Sequence, residues 1–269
     1  NSGFAVPLPC TAFLSLMGLP QSELPYFLRL KDGIIRPQQL VEGEPTLEKM
    51  QEYRVGTGKE IYDYFEKVID ERKRNPGDDM VSYLLETQID GEKLSREDIL
   101  DVSFLLILAG LDTVTATLGC NIAYLAANPG QREKLVADPS LLPSAIEELM
   151  RWETPVTAVP RLVKEHVTLH GVDFNPGEMV TVLIGAANLD DAEFENGDTV
   201  DLERRRNRHM AFGGGPHRCL GSHLARMELQ VAMEAWHERV PVYRVAPGEA
   251  PRFTPGIREV MHLPLVWPN

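Results

Sequence analysis

The segment from Ser95 to Asn128-Pro129 constrains the fold more than any other part of the chain. Ser95 with Asp98 three residues later resembles a capping box, which marks the start of a helix. The helical pattern then continues for roughly 33 residues, or about 50 Å, a length that crosses a whole domain. Its middle, Phe104 to Ala109, is apolar all round, so we expect it to be buried. The chain is therefore predicted to contain one long central helix over about residues 95–127.

Further helices are predicted before and after this one. Leu47 to Arg74 carries apolar residues at roughly helical spacing and ends in a cationic last turn, followed by the stop signal Asn75-Pro76-Gly77. Asp78 to Thr87 and Pro143 to Trp152 read as shorter helices. One face of a last helix is marked by apolar residues at Leu220, Leu224, Met227, Val231 and Ala235.

A smaller amount of β structure is predicted in the second half. Residues His166 to Ile184 alternate, with turns at Gly171 and Asn175-Pro176-Gly177, which predicts a small β meander. A loop rich in Asp, Arg and Gly follows, from Asn188 to Gly215. Other turns are predicted at Asp90-Gly91, Pro247-Gly248 and Pro255-Gly256.

Length and composition narrow the class of protein. A chain of 269 residues has room for one or two domains, and 43% hydrophobic with 25% charged residues are ordinary globular values. The net charge of −13, from 27 basic and 40 acidic residues, makes nucleic acid an unexpected partner. Together with the predicted elements, this indicates a single domain over residues 1–269, mainly α with minor β.

Cysteine usage and apolar runs predict the compartment. Cys10, Cys120 and Cys219 cannot all pair, and three cysteines are too few for a disulfide scaffold. The richest apolar stretch, Val102 to Leu111, is about ten residues long, whereas a membrane span needs about 20. No charged region followed by an apolar one opens the chain as a secretory signal would. We expect a cytoplasmic protein that does not contact a membrane.

The glycine-rich loop at 212–221 is the first local feature that indicates chemistry. Three successive glycines, Gly213 to Gly215, allow backbone to approach a ligand closely. Cys219 follows just where a helix begins, and a helix N-terminus stabilises a thiolate. A packed cysteine in a tight turn, a zinc site formed with His217 and His223, and a nucleophilic cysteine are the alternatives. The glycine triplet favours a large flat ligand over zinc.

The second feature is Ala109-Gly110-Leu111-Asp112-Thr113, within the predicted central helix. A glycine costs about 1 kcal/mol inside a helix. The Thr113 hydroxyl can bond the carbonyl of Ala109 and bend the helix. Gly110 and Thr113 could thus open a groove, in which Asp112 and Thr113 form an acid–alcohol pair. Packing of the helix against a small residue is the simpler interpretation.

Two further features are charged. Glu148 and Arg151 lie three residues apart on one helix face, as many surface pairs do. A basic cluster precedes the cysteine and stands out in an acidic chain, so it could hold an anionic ligand or an acidic partner, or be a solvated loop. Its members are Arg204, Arg205, Arg206, Arg208 and His209.

In this order and spacing, the four features resemble the cytochrome P450 superfamily, the haem-thiolate monooxygenases. The family pattern Phe-x-x-Gly-x-(Arg/His)-x-Cys-x-Gly is matched by Phe212, Gly215, His217, Cys219 and Gly221. The pattern (Ala/Gly)-Gly-x-(Asp/Glu)-Thr is matched by Ala109, Gly110, Asp112 and Thr113, and Glu-x-x-Arg by Glu148 and Arg151.

The resemblance covers essentially the whole chain and implies a cytochrome P450 fold without its N-terminal part. The layout is most similar to soluble bacterial members of the camphor-hydroxylating kind, through Phe13 to Pro20, Gly110 to Val114 and Leu263 to Trp267. The chain departs from that kind at Val159, where the family member has an acidic residue. We therefore expect the C-terminal two-thirds of the fold, as a fragment, a cleaved product or a partly described protein.

The resemblance implies roles for individual residues. Cys219 would be the axial thiolate of haem b, with Phe212 packed near the sulfur. Asp112 and Thr113 would relay protons to bound dioxygen, and Gly110 would leave room for it. Glu148 and Arg151 would be structural, tied to the loop before the cysteine. Cofactor contacts, including the haem propionates, are expected at Arg161, His209, His217, Gly213, Gly221, Ala109 and Gly110.

The implied reaction is hydroxylation of a small hydrophobic substrate, with a terpenoid as the narrower expectation, by O₂ and two electrons from a ferredoxin-type partner and its reductase. The electrons would arrive at the Arg-rich surface near Cys219. The alternatives are a truncated, catalytically incompetent haem-binding chain and a reductase-independent haem-thiolate enzyme. Substrate contacts are expected at Phe104, Leu105, Leu108, Ala109, Val156, Thr157, Val159, Ile257 and Val260.

Overall fold

The computed structural model of the chain describes residues 4–254 and 257–268. Contacts between residues group them into two units, an N-terminal unit that ends at Asp112 and a C-terminal unit that begins at Thr113. Helices dominate both units, and the described strands form small two-stranded antiparallel sheets. The predicted class, mainly α with minor β, is confirmed. The single-domain assignment stays a prediction, and the predicted turn at Pro255-Gly256 lies outside the described residues.

The N-terminal unit packs five helices around an aromatic and aliphatic core. Phe13, Phe27 and Phe65 are among the side chains at its centre. A short hairpin of β1 and β2 turns at Asp90-Gly91, both with positive φ, as predicted. The elements are α1 (Pro7–Leu16), α2 (Leu24–Ile35), α3 (Leu47–Arg74), α4 (Met80–Glu86), β1 (Gln88–Ile89), β2 (Glu92–Lys93) and α5 (Arg96–Gly110).

Helix α3 has the predicted bounds, because its ends are specified locally. The Thr46 side chain accepts a hydrogen bond from the Lys49 N–H and caps the helix at its N-terminus. The last turn holds three basic residues, which interact favourably with the helix dipole. Between these ends, the face toward the core is formed by Thr57, Ile61, Phe65, Val68 and Ile69.

Helix α5 begins with the predicted capping box, but its apolar middle is less buried than predicted. The Ser95 hydroxyl and the Asp98 carboxylate each bond the other residue's backbone. Ile107 is fully buried, whereas Leu105 is 62% exposed. One helix face can pack on the core of this unit, so the remaining apolar side chains between Phe104 and Ala109 stay half-buried or exposed.

The long helix predicted over 95–127 is interrupted by a short turn near its middle. Helix α5 ends at Gly110, and α6 (Thr113–Ala127) begins after a turn at Leu111 and Asp112. Side chains from distant parts of the sequence hold this turn, because the Cys10 thiol donates to the Leu111 carbonyl at 3.4 Å and α2 supplies the partners of Asp112. Such long-range contacts override a local helical pattern.

The stretch Arg96–Ala127 is long and apolar enough to cross a membrane by length and composition, with a mean hydropathy of 1.8 in its most apolar window. Half of that window is buried inside the protein, and the core helices of water-soluble proteins meet the same criteria.

The C-terminal unit combines helices with short strands. Its core includes Leu118, Leu149 and Met233, which are all buried. The helices are α6, α7 (Pro129–Ala137), α8 (Leu142–Trp152), α9 (Ile184–Ala187) and α10 (Ser222–Arg239). The strands are β3 (Val159–Leu162), β4 (Val167–Leu169), β5 (Val172–Phe174), β6 (Met179–Val182), β7 (Arg244–Val245), β8 (Arg252–Phe253), β9 (Val260–His262) and β10 (Leu265–Val266).

The predicted meander over His166–Ile184 is corrected to two separate pairings. Strands β4 and β5 form a hairpin that turns at His170-Gly171, both with positive φ. Strand β6 pairs instead with β3, in the register Val159 opposite Val182. Strands β7 with β10 and β8 with β9 form the remaining pairs.

Helix α10 is present as predicted, but a different face is buried. Met227 and Val231 are more than half exposed, and Leu220 lies before the helix. The buried face consists of Ser222, Glu228, Leu229, Ala232 and Met233. Helices α6 and α8 pack against α10, so the face is set by two neighbours and not by the helix's own apolar pattern.

Candidate functional site

The loop before α10 is closed by its own backbone. The N–H of Cys219 donates to the carbonyl of Phe212 at 2.8 Å, and the N–H of Gly213 donates to Met210 at 2.8 Å. Gly213 and Gly215 have φ values of 66° and 58°, in the left-handed region that favours glycine. A Cβ at Gly213 would come within 3.0 Å of the His217 carbonyl. The glycines are therefore needed for the loop to close.

The Cys219 thiol is exposed and unpaired at this loop. The neighbouring Leu220 is 78% exposed, and a Cβ added at Gly215 or Gly221 would meet no atom within 4 Å. His217 and Arg218 are exposed beside the cysteine. A single accessible thiol, an open apolar surface and adjacent cations fit haem, which needs an axial sulfur ligand, apolar contact and cations for its propionates.

The geometry around Cys219 bears on the zinc alternative. Among the described residues, no group of three or more His, Cys, Asp or Glu side chains could hold a metal ion, so His217, Cys219 and His223 do not form the zinc site considered above. Cys219 lies before the N-cap residue Gly221, outside α10. A zinc site therefore has no geometric support in the part of the chain that the structure describes.

Glu148 and Arg151 form a fully buried pair, in contrast to ordinary surface pairs. Arg151 donates through Nε and Nη2 to the Glu148 carboxylate, at 2.8 Å each. It also donates to the carbonyls of Asn188, Gly197 and Thr199 at 2.7–2.8 Å. The pair thus holds the backbone of the loop that leads to the cysteine, as the resemblance implied.

Glu148 gathers further partners from the same loop. It accepts hydrogen bonds from the Asp201 N–H, Arg204 Nε and Asn207 Nδ2 at 2.9–3.0 Å. Burial raises the pKa of Glu148, but its hydrogen bonds from Arg151 and Asp201 outweigh burial and hold the pKa below its usual value. Glu148 is therefore a carboxylate that organises the loop.

The basic cluster divides into structural and exposed members. Arg204 belongs to the buried network around Glu148 and is not a free surface cation. Arg206 and Arg208 are 70% and 65% exposed in their side chains, and both lie near Glu193. Arg205 is also exposed. The exposed arginines before and within the cysteine loop are Arg205, Arg206, Arg208 and Arg218.

His209 has a protein partner at both ring nitrogens, and its predicted contact with a propionate stays a prediction. Its Nε2 lies 3.1 Å from a Glu147 oxygen, and its Nδ1 accepts the Ala211 N–H at 3.2 Å. Because Nδ1 accepts, Nε2 carries the proton and donates to Glu147. Arg161, by contrast, is exposed on β3 and donates to its own neighbour, the Pro160 carbonyl, at 2.8 Å.

In the N-terminal unit, Asp112 is buried between two cations of α2 and its C-cap. Lys31 Nζ lies 2.9 Å from Oδ1, and Arg36 donates to both oxygens at 3.1 and 2.8 Å. Burial raises the pKa of Asp112, but the hydrogen bond from Arg36 and the charge of Lys31 outweigh it and lower the pKa. Asp112 is thus an ionised carboxylate, linked through Lys31 to the partly exposed Asp32.

Gly110 faces a side chain and not open space. A Cβ built there would lie 2.5 and 2.7 Å from two ring carbons of Phe13 on α1. In this structure the Phe13 ring occupies the space that a side chain at position 110 would need. The role of Gly110 in making room for dioxygen stays a prediction. The buried Asp112 and half-buried Thr113 are adjacent in sequence, one on each side of the boundary between the units.

The predicted substrate contacts occupy three kinds of environment. On α5, Leu105 is exposed, and the Phe104 ring lies 5.6 Å from that of Tyr62. In the C-terminal unit, Val260 is 1% exposed and packs in a small core cluster with Cys120 and Ala123. The half-buried predicted contacts are Leu108, Val156, Thr157, Val159 and Ile257, of which Val156 and Ile257 are joined by an isolated β-bridge.

An open groove of about 410 Å³ adjoins one of these residues. Its polar rim includes the ion pair of Glu153 and Arg258, at 2.6 Å. Thr157 is the predicted substrate contact in its wall. The lining is Trp152, Glu153, Thr154, Thr157, Ala158, Leu183, Gly185, Ala186, Leu189 and Arg258.

Several structurally important residues had no signal in the sequence. Lys31 and Arg36 lie about 80 residues before Asp112, and Glu147 receives its partners from 62 and 79 residues further on. An isolated charge on a helix carries no local pattern that identifies a distant partner. The side chain of Asn188, which accepts the Met210 N–H at 2.6 Å, was missed for the same reason.

Comparisons with known proteins agree with the geometry. Residues 42–236 match the family model described as Cytochrome P450. Mycinamicin IV hydroxylase/epoxidase of Micromonospora griseorubida is 38% identical over 98% of this chain and 66% of its own length. The biotin biosynthesis cytochrome P450 of Bacillus subtilis is 33% identical over 99% of this chain and 66% of its own length.

Solved structures share the fold. The Bacillus subtilis cytochrome P450 PksS superposes with a TM-score of 0.91 at 32% identity, covering 100% of this chain and 68% of that one. CYP109E1 from Bacillus megaterium in complex with testosterone gives a TM-score of 0.86 at 33% identity, and the match covers 98% of this chain and 70% of CYP109E1. The chain spans 57–66% of the length of several curated relatives that it matches, so those relatives are longer proteins. The motifs, the closed cysteine loop and these matches together establish that the chain belongs to the cytochrome P450 family.

Proposed function

We propose that the protein is a haem-thiolate monooxygenase that hydroxylates a small hydrophobic substrate with O₂ and two electrons. The observation that carries the proposal is the exposed Cys219 thiol in a loop that Phe212 closes, in a chain of the cytochrome P450 family. Relatives bear the names hydroxylase/epoxidase and monooxygenase, which supports this class of reaction.

The cofactor we propose is haem b, with Cys219 as its axial ligand. When bound, haem supplies the dioxygen and oxidation chemistry. Phe212, Gly213 and Gly221, which flank Cys219 in the loop, would contact the haem, while Arg161 and His217 are exposed donors suited to propionates. Ala109 and Gly110 remain proposed contacts. We leave out His209, because both of its nitrogens already have partners within the protein.

Asp112 and Thr113 are the proposed proton-transfer residues. Asp112 accepts a hydrogen bond from Lys31 Nζ, which also contacts the partly exposed Asp32. Protons could therefore pass from water at Asp32 to Lys31 and on to the Asp112 carboxylate. The ion pairs hold that carboxylate ionised at rest, so it would carry a relayed proton only transiently before the Thr113 hydroxyl passes the proton on.

The substrate proposal rests on apolar candidates and on the relatives. Leu105 and Leu108 on α5 and Val156 and Ile257 in the C-terminal unit are accessible apolar side chains. Relatives are named for mycinamicin IV, for pentalenic acid and for a steroid. We propose a hydrophobic substrate, with a terpenoid as the narrower possibility to be screened first.

The proposed electron donor is an acidic ferredoxin-type protein with its reductase. The exposed Arg205, Arg206 and Arg218 give a positive surface near Cys219 in sequence, in a chain with a net charge of −13. Such a local charge accelerates association with an acidic partner. We propose that both proteins act in the cytoplasm.

Turnover in ¹⁸O₂ tests the proposal. The haem-loaded chain, reconstituted with a bacterial ferredoxin, ferredoxin reductase and NADPH, is expected to give products that carry one ¹⁸O atom from a panel of terpenoids and steroids. Products formed with hydrogen peroxide alone, and none with the reductase system, would support the reductase-independent alternative. Bound haem with no product under either condition would support the incompetent haem-binding chain.

A further inference from the structure

Glu147 on α8 and Arg226 on α10 form a bidentate ion pair next to the cysteine loop. Arg226 Nε lies 2.6 Å from one carboxylate oxygen and Nη2 lies 2.8 Å from the other. Two parallel bonds fix the plane of the guanidinium, which a single bond does not. The hydrogen bonds of Glu147 from His209 and Arg226 lower its pKa to about 2 against the effect of burial, so the pair is ionised at neutral pH.

The fixed guanidinium lies on the ring of Phe212. The Arg226 Cζ is 4.3 Å from the ring centroid, within the range of a cation–π contact. Phe212 is also the residue whose carbonyl accepts the Cys219 N–H. Arg226 therefore holds the residue that closes the loop.

Glu147 holds the start of the same loop through a second residue. His209 donates from Nε2 to the oxygen that also receives Arg226 Nη2. The His209 ring lies 6.0 Å from the Phe212 ring, so both contacts converge on one side chain. A single carboxylate thus connects α8, α10 and the loop from His209 to Cys219.

The positive charge of Arg226 also acts on the cysteine. Arg226 is a third exposed in its side chain, so water screens its charge only partly. Its guanidinium lies over Phe212, whose carbonyl accepts the Cys219 N–H, so the charge sits on the loop that holds the sulfur. A positive charge close to an axial thiolate would favour the reduced state of the metal.

We infer that Arg226, held by Glu147, is a positioning residue for Cys219, which fixes the loop through Phe212 and raises the reduction potential of the bound haem. The second half of this inference rests on the proposed function, whereas the first half concerns the protein by itself. This role is separate from the Glu-x-x-Arg motif, because that motif consists of Glu148 and Arg151, whereas the clamp consists of Glu147 and Arg226.

Hydrogen exchange on the chain without added ligand tests the clamp. Arg226→Gln and Glu147→Gln are expected to speed exchange of the loop amides at residues 211–219 at least tenfold. Arg239→Gln is the matched control, because Arg239 lies on the same helix, is exposed and donates to the Ala235 carbonyl. Loop exchange equal to that of the control in both variants would overturn the inference.

Redox titration of the haem-loaded variants tests the electrostatic half. Arg226→Gln removes a positive charge and is expected to lower the reduction potential, whereas Glu147→Gln removes a negative charge and is expected to raise it. Arg226→Lys keeps the charge but not the planar stack, so it should restore the potential and leave loop exchange fast. Potentials that move in the same direction, or do not move, would overturn this half.

The two proposals fail in different ways. If the reduced protein gives no thiolate spectrum with carbon monoxide while loop exchange still responds to Arg226→Gln, the proposed function fails and the clamp stands. If the spectrum is normal and loop exchange is unchanged, the clamp fails and the proposed function stands.

Discussion

The backbone N–H of Cys219 donates to the Phe212 carbonyl at 2.8 Å, so one hydrogen bond joins the first residue of the cysteine motif to its cysteine. Around this closure, α8 holds the preceding loop through Glu148 and Arg151, and Glu147 holds Arg226 over the Phe212 ring. The thiol at the centre stays exposed. Two acidic residues of α8, Glu147 and Glu148, thus help to hold the loop that carries the exposed thiol.

Loss of charge at Glu148 should destabilise the protein far more than loss of charge at the surface. Glu148→Gln leaves Arg151 and Arg204 buried without a counter-charge, and we expect it to lower the free energy of unfolding by about 3–5 kcal/mol. The control, Glu193→Gln, breaks exposed pairs with Arg206 and Arg208 and should cost about 0.5 kcal/mol or less. Denaturant unfolding measures both, and equal losses would show that Glu148 is not an anchor.

Asp112→Asn should slow turnover without weakening substrate binding. An amide cannot accept the proton, so we expect kcat to fall about 100-fold or more, with a larger solvent isotope effect. Asp70→Asn is the control, because Asp70 also pairs with a cation, Arg96, but is 59% exposed in its side chain and lies outside the proposed proton path. A kcat that changes equally in the two variants would argue against a specific role for Asp112.

The half-buried His237 and the buried Glu228 of the C-terminal unit should give opposite pH dependences of stability. Burial, and secondarily the charge of Arg132, lower the pKa of His237 to about 4, so the unfolded chain binds more protons and stability falls as the pH drops from about 6.5 to 4. Burial raises the pKa of Glu228 to about 7, so the folded chain binds more protons and stability falls as the pH rises from about 4.5 to 7.

In the unmodified protein, these two effects offset each other between about pH 4.5 and 6.5. His237→Gln should therefore leave a stability that decreases with rising pH in this window, and Glu228→Gln one that increases. The unmodified protein, measured in parallel, is the reference for both slopes. Parallel urea unfolding at several pH values measures the slopes, and slopes of the same sign in the two variants would contradict the assignment.

The close approach of Gly110 and Phe13 predicts strong coupling between them. Gly110→Ala should destabilise the protein by about 1–3 kcal/mol, because the new methyl group would overlap the Phe13 ring. In a Phe13→Ala background the same change should be neutral or stabilising, since alanine favours a helix by about 1 kcal/mol over glycine. A double-mutant cycle measures the coupling, and additive effects would exclude the contact.

Local signals in the sequence predicted the elements whose ends depend on neighbouring residues. Helix α3 matches residue for residue, since its cap and its basic last turn are local. The break at Leu111 and Asp112 was missed because Cys10 and α2, which hold the turn, are 76–101 residues away. The buried face of α10 depends on two neighbouring helices and was also not readable from one helix alone.

The same distinction holds for the site. Motif spacing predicted Cys219 and Asp112 as site residues and Glu148 with Arg151 as a structural pair, and the structure shows that pair buried. Glu147 and Arg226 were missed, since 79 residues separate them and neither has a distinctive local pattern. For His209, no pattern in the sequence indicated its partner Glu147, which lies 62 residues away.

The absorption spectrum of the reduced haem-loaded protein with carbon monoxide tests the central claim most directly. We predict a strongly red-shifted Soret band that marks a thiolate ligand, its retention in Cys10→Ala and Cys120→Ala, and its loss in Cys219→Ser. A haem-loaded protein without this band, or a band that persists in Cys219→Ser, would contradict the assignment of Cys219 as the axial ligand.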